Sequence, residues 1–216
     1  MKLWPVIPLL AVVSHIAMAA GDVETGKQIA MQGNNQGATA CVACHGANGQ
    51  GNASAGFPRL AGLNAAYLGK QLRDYRNGSR DNPTMNPIAA ALDDVASRDV
   101  AAYYAGLDPV GDSTKRKESA SGRTLALRGD WDNTIPACVS CHGPGGRGVA
   151  PAFPALAGQH ASYIKAQLQA WRAGKRRNDA NELMKVVAER MSDEQIQAVA
   201  DYFAAAPVQP DTGAEQ

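Results

Sequence analysis

The chain is written twice, and that repetition limits the fold more than any other feature of its 216 residues. Phe57-Pro58-Arg59-Leu60-Ala61-Gly62 returns as Phe153-Pro154-Ala155-Leu156-Ala157-Gly158. Tyr67-Leu68-Gly69-Lys70-Gln71-Leu72 returns as Tyr163-Ile164-Lys165-Ala166-Gln167-Leu168. Arg76-Asn77-Gly78-Ser79-Arg80 matches Arg172-Ala173-Gly174-Lys175-Arg176, and Tyr103-Tyr104 match Tyr202-Phe203. Gly26 and Gly33 match Gly122 and Gly129. The offset is 96 residues through most of this, 97 at the cysteine motif and 99 near the C-terminal end, a drift that short loop insertions explain. A solenoid needs three or more short units, whereas two copies of roughly 90 residues predict duplicated domains.

Each copy reads as helical. Ala65, Leu68, Leu72 and Tyr75 fall near helical spacing in a segment from Asn64, a plausible N-cap, to Arg76. Its partner runs from about Ala161 to Ala173 and is closed by Gly174 at the C-cap. Ser192-Asp193-Glu194-Gln195 is a capping box that opens a helix carrying Ile196, Val199, Ala200 and Phe203. The matching helix of the first copy starts at Asp93 and carries Val100, Tyr103 and Tyr104. No alternating strand pattern stands out, so the expected fold class is all-α.

The expected organisation is a signal peptide over 1–19, a first domain over 20–108, a linker over 109–120, a second domain over 121–206 and a flexible tail over 207–216. Lys2, the apolar run Leu3 to Val13 and the close Ala17-Met18-Ala19 form a charged region, a short apolar core and a small-residue cleavage site. Pro5 and Pro8 interrupt that run, which is shorter than the roughly 20 apolar residues of a spanning helix. Export to the periplasm follows. With Lys2 removed, 20 basic residues face 20 acidic ones, a balance that offers no basic face for nucleic acid. Lys115-Arg116-Lys117 lies in the polar linker.

All four cysteines lie in two Cys-x-x-Cys pairs. In an exported protein four cysteines would ordinarily suggest two disulfides. Here a histidine follows each pair at once: Cys41-Val42-Ala43-Cys44-His45 and Cys138-Val139-Ser140-Cys141-His142. That pattern attaches a haem covalently through both cysteines and delivers the imidazole to the iron from one side. The expected cofactors are therefore two covalently bound haem c groups. One zinc held by both pairs is the alternative. Separate repeats, each with its own histidine and its own candidate sixth ligand, argue against it. A thioredoxin-like site would need a single pair in a βαβ context.

His45 and His142 are the proximal candidates, since His15 lies in the leader and His160 aligns with Asn64 at a helix start, where a surface or capping role is expected. Of the methionines after the leader, Met31 aligns with Leu127 and Met191 with Leu92, so both read as core. Met85 and Met184 align with each other about 40 residues after their histidines and precede Ile88-Ala89 and Val187-Ala188, which makes them the expected distal ligands. Met191 is the fallback in the second copy. Methionine–histidine ligation raises the haem potential and leaves no open iron position, which favours electron transfer over substrate chemistry. The carbonyls of Pro58 and Pro154 are candidates to accept the other ring N–H of each histidine. Arg59 could pair with a haem propionate, but Ala155 replaces it in the second copy. Tyr75 and Trp171 match and read equally well as haem-edge or core packing.

Tandem Cys-x-x-Cys-His domains, each followed by Phe-Pro-x-Leu-Ala-Gly, a Gln-Leu helix, a Met and a terminal aromatic helix, resemble the cytochrome c4 family from Gly21 to about Ala206. The resemblance implies two class I cytochrome c domains related by a pseudo-twofold axis, with His45/Met85 and His142/Met184 as axial pairs. It also implies that first and last helices cross at Gly26 against Tyr103 and Gly122 against Tyr202. One departure is Asn82-Pro83-Thr84 before Met85, which lacks the Asn178-Asp179 of the second copy. Family members are periplasmic, often loosely membrane-associated, and pass electrons towards haem–copper oxidases. The expectation is a monomeric carrier, not an enzyme, between a quinol-oxidising complex or dehydrogenase and a terminal oxidase. The rival is a dihaem subunit of an oxidoreductase such as a flavocytochrome c sulfide dehydrogenase.

Overall fold

The structure is a computed structural model that describes residues 21–109 and 119–208. The expected leader, most of the linker and most of the tail lie outside the described residues. The first half contains α1 (Val23–Gln32), α2 (Val42–His45), α3 (Ala65–Arg76), α4 (Met85–Ala90) and α5 (Asp94–Ala105). The second half repeats them as α6 (Ala120–Arg128), α7 (Val139–His142), α8 (Ala161–Arg172), α9 (Leu183–Arg190) and α10 (Asp193–Ala205). Among the described residues no strand forms, only isolated bridges.

Local chemistry starts these helices. Asp22, Asn64, Asp93 and Ser119 each accept a backbone N–H of the first turn, from Thr25, Tyr67, Ala96 and Gly122. Ser192 and Gln195 close the expected capping box. Because Ser119 caps α6, the helix begins at Ala120, inside the stretch expected as linker. At the end of α8 the cap is Ala173, with Gly174 following at φ 67°.

The packing is repeated as faithfully as the elements. Helix α5 packs on α1 and α3, and α3 on α4; α10 packs on α6 and α8, and α8 on α9. The first core gathers Leu63, Leu68, Val100, Tyr103 and Tyr104, the second Ile135, Leu168, Ile196, Val199 and Phe203. Burying a side chain such as Phe203, 1% exposed, contributes about 2–3 kcal/mol. The crossing of first and last helices occurs at Gly26 and Gly122, with Tyr202 against Gly122 as expected and the Asp99–Val100 backbone standing nearest to Gly26. A Cβ on Gly26 would lie 2.0 Å from the Asp99 carbonyl oxygen, and one on Gly122 1.9 Å from that of Ala198, with Tyr202 Cβ at 3.0 Å. Backbone meets backbone there.

Two core expectations fail. Met31 is 40% exposed and its counterpart Leu127 is 37% exposed. The buried stripe of α1 is Gly26 and Ala30, and Met31 is rotated about 100° away from Ala30. Conversely His160, expected at the surface or as a cap, is 6% exposed and caps nothing through its side chain. Its Nε2 donates to the Gln50 carbonyl at 2.9 Å, because the helix start that it occupies abuts the other half.

The halves join along matched segments. Asp81 N donates to Lys175 O and Arg177 N to Ser79 O, both at 2.7 Å, around a bridge between Arg80 and Arg176. Elsewhere Gln159 reads the Arg59 backbone reciprocally: Arg59 N donates to Gln159 Oε1, and Gln159 Nε2 to Arg59 O, each at 2.9 Å. Gly26→Ala and Gly122→Ala should each cost about 2 kcal/mol or more, since an added methyl meets a carbonyl held in a second helix. Urea unfolding of the haem-loaded protein measures this, and a loss below about 0.5 kcal/mol would mean that the helices slide apart freely.

Candidate functional site

Each Cys-x-x-Cys-His segment folds as one helical turn, α2 or α7. His45 N bonds to Cys41 O and His142 N to Cys138 O, both at 2.9 Å. Gly46 at φ 79° and Gly143 at φ 76° end the turns. The chain then doubles back, so that Gly51 N reaches His45 O and Gly148 N reaches His142 O at 2.7 Å. A Cβ on Gly51 would stand 2.5 Å from the Pro58 carbonyl carbon, so this approach needs glycine.

The return brings a proline carbonyl to each imidazole. His45 Nδ1 donates to Pro58 O at 3.0 Å, and His142 Nδ1 to Pro154 O at 2.8 Å. A carbonyl can only accept, so the proton resides on Nδ1 and Nε2 keeps its lone pair. Phe57 and Phe153 flank the rings, with centroids 6.1 and 5.9 Å away. Burial holds both imidazoles below their ordinary pKa, against the opposing pull of the carbonyls; at His142 the Arg176 charge lowers it further. The result in each half is a neutral, oriented imidazole, the form that binds a metal.

The four cysteines are unpaired. Burial pushes the Cys41 thiol up and the Cys138 thiol up to about 11. Cys41 packs against the first core and Cys138 against the second, so each pair serves its own half. Cys41, Cys44, His45 and Met85 line one cavity of about 310 Å³ together with Tyr67, Leu68, Tyr75 and Ile88. Tyr163, Ala166 and Gln167 of the second half complete its wall.

The two methionines are half-buried and held by different side chains. Asn82 Oδ1 accepts from Thr84 N and Met85 N at 3.0 Å. In the second half Asp179 Oδ2 accepts from Met184 N at 2.8 Å and Lys185 N at 3.1 Å, while its Oδ1 takes the Trp171 indole N–H at 2.8 Å. The departure at Asn82-Pro83-Thr84 therefore substitutes one acceptor for another. Met184 borders the second core with Cys138 and Leu156, whereas Met191 lies within it at 4% exposure.

Arg59 is 1% exposed and joins the halves, its Nη1 donating to Ala61 O and its Nη2 to Ala157 O. Its Nε is a buried donor with no partner on the protein. Burial brings its pKa down to about 10, so it stays cationic at neutral pH. Sequence reasoning assigned nothing to Arg80 and Arg176, which lie between the halves at 4% and 5% exposure. Their recurrence in Arg-x-Gly-x-Arg was the available signal.

Cavity and donors fit haem c: two thiols followed by a neutral imidazole, an apolar wall carrying a thioether, and an orphaned guanidinium nitrogen for an acceptor. Comparison with known proteins agrees. The cytochrome c family pattern matches residues 23–108 and 120–206. A "Thiosulfate dehydrogenase electron acceptor" of Stutzerimonas stutzeri is 50% identical over 206 residues, covering 93% of this chain and 94% of the relative. Cytochrome c4 of Pseudomonas aeruginosa is 37% identical over 190 residues, covering 87% of this chain and 90% of the relative. Among solved structures, reduced recombinant cytochrome c4 from Pseudomonas stutzeri superposes with a TM-score of 0.75 at 34% identity, covering 87% of this chain and all of that one (100%). A thiosulfate dehydrogenase (TsdBA) from Marichromatium purpuratum gives 0.80 at 44% identity, covering 86% of this chain but only 40% of that longer one. Two domains with two such motifs take two covalently bound haem c groups. Acid–acetone extraction should leave both porphyrins on the polypeptide, with a mass gain of two haems. A double Cys41→Ser/Cys44→Ser variant should retain one; loss of both from the intact protein would break the assignment.

Proposed function

The chain belongs to the cytochrome c family, as a tandem dihaem carrier of the cytochrome c4 type, and we propose that it takes electrons from a thiosulfate-oxidising dehydrogenase. The observation that carries this reading is the 50% identity to a named thiosulfate dehydrogenase electron acceptor along nearly the whole of both chains. The TsdBA match supports it, because there a module like this chain is one part of a longer thiosulfate dehydrogenase. A flavin-linked sulfide dehydrogenase gives way to this donor as the partner of choice. We further infer delivery to a terminal oxidase in the periplasm, from the leader, the haem motif and the family resemblance. Among the described residues no helix is long and apolar enough to cross a membrane.

A bound haem supplies one-electron exchange between ferric and ferrous iron. The protein's part is to hold that iron closed and to set its potential. We infer that His45 and Met85 would hold the iron of the first haem, and His142 and Met184 that of the second. Pro58 and Pro154 fix the imidazole tautomer, and Asn82 and Asp179 pin the backbone that presents each thioether. With both positions filled, no substrate reaches the metal. Joining two thiosulfate ions through a new S–S bond at the dehydrogenase releases two electrons, which is the number that a dihaem carrier would have room for.

The partner is tested by mixing the oxidised protein anaerobically with thiosulfate and a catalytic amount of a thiosulfate dehydrogenase. Reduction of both haems supports the reading; reduction by sulfide with a flavoprotein, and none by thiosulfate, would overturn it. The ligands have a separate test. Met85→Leu and Met184→Leu should each remove one methionine–iron charge-transfer band and lower one potential, while Met191→Leu should preserve both bands, as Leu92 already serves at the matching position.

A further inference from the structure

Arg80 and Arg176 are buried, and among the described residues neither forms an ion pair. Their partners are neutral and come from both halves. Arg80 Nη1 donates to Gln71 Oε1 at 3.0 Å, and its Nη2 to Gln167 Oε1 at 2.6 Å and to the Tyr163 hydroxyl at 2.7 Å. Arg176 Nη1 donates to Gln167 Oε1 at 3.1 Å, and its Nη2 to Gln71 Oε1 at 3.1 Å and to the Tyr67 hydroxyl at 3.4 Å. Each glutamine oxygen thus accepts from both arginines, which closes a ring: Arg80, Gln71, Arg176, Gln167. Tyr75 and Trp171 shield the guanidinium faces at 4.4 and 3.9 Å.

Two like charges held this close, away from water, repel unless negative charge is supplied nearby. Asp74 joins the network through Asn178, which donates to it and to Gln71 Oε1, but it also accepts from Lys70 Nζ and so is already engaged. Arg80 itself lines the first cavity, beside Gln71, Tyr163 and Gln167. At the other end of the ring, Arg176 is stacked on the indole whose N–H is held by Asp179, the residue that also holds Met184. The ring therefore lines the first site directly and reaches the second through Trp171 and Asp179.

We propose that this arginine–glutamine ring is a shared electrostatic element that sets the potentials of the two haems together, each half's arginine acting on both. A positive charge near the iron favours the less positive, reduced state, so the ring raises both potentials, and in the low-permittivity interface its effect is poorly screened. The inference rests on the dihaem reading but not on the identity of the electron donor. It differs from an interface role alone, which would hold the halves together without moving either potential.

The test is spectroelectrochemical titration of the isolated two-haem protein, with each haem followed separately. Gln71→Glu and Gln167→Glu keep the side-chain shape while placing a negative charge between the guanidiniums. Each should lower both midpoint potentials, whichever half carries it, and Arg80→Gln and Arg176→Gln should do likewise. If an arginine variant fails to fold, the glutamate pair decides. A shift confined to the haem of the substituted half, or no shift, would overturn the proposal. Because no partner protein enters the measurement, reduction by thiosulfate dehydrogenase can still succeed or fail independently.

Discussion

A proline carbonyl facing an imidazole N–H is the contact on which the rest of each half depends. The Cys-x-x-Cys-His turn alone places two thiols and a histidine along about one turn of helix but does not say which ring nitrogen carries the proton. The hydrogen bonds at 3.0 and 2.8 Å settle that, and with it the direction of the free lone pair. For the carbonyl to arrive, the loop after the histidine must double back tightly, which demands glycine at Gly51 and Gly148. Phe-Pro-x-Leu-Ala-Gly then leads into the long helix, α3 or α8, that walls the site. The recurrence of this six-residue phrase after each haem motif thus has a mechanical reason.

The two halves repeat this scheme without being identical. Asn82 does for Met85 what Asp179 does for Met184, but a neutral amide and a carboxylate differ in charge. Arg59 adds a buried cation in the first half where the second has Ala155. Two sites built alike and charged differently are expected to differ in potential.

Much of this was legible in the residues. The all-α fold, the duplicated architecture, the capping box at Ser192 and the paired haem motifs all announce themselves through local spacing. The crossings at Gly26 and Gly122 were legible as glycines, and Tyr202 does meet Gly122, but the Asp99 and Ala198 carbonyls that stand nearest were not legible, since sequence does not say which carbonyl faces a missing side chain. His160 and the ring of Arg80, Gln71, Arg176 and Gln167 were not legible in function. Polar and charged residues on a helix, such as Gln71 and Gln167, or in the segments flanking one, such as His160, Arg80 and Arg176, ordinarily face solvent, and only the approach of the other half turns them inward. Met31 erred in the opposite sense, because an apolar residue at the end of a short helix need not lie on its buried stripe.

With the proposed histidine and methionine ligands in place, both irons would be closed on both sides, and ligand access to the iron tests that proposal most directly. Carbon monoxide added to the dithionite-reduced protein should leave the absorption spectrum unchanged. The oxidised protein should give only low-spin signals in electron paramagnetic resonance, one for each haem. A carbon monoxide adduct at either haem, or a high-spin ferric signal in the native protein, would mean that one iron is open, and would move the chain from carrier towards catalyst.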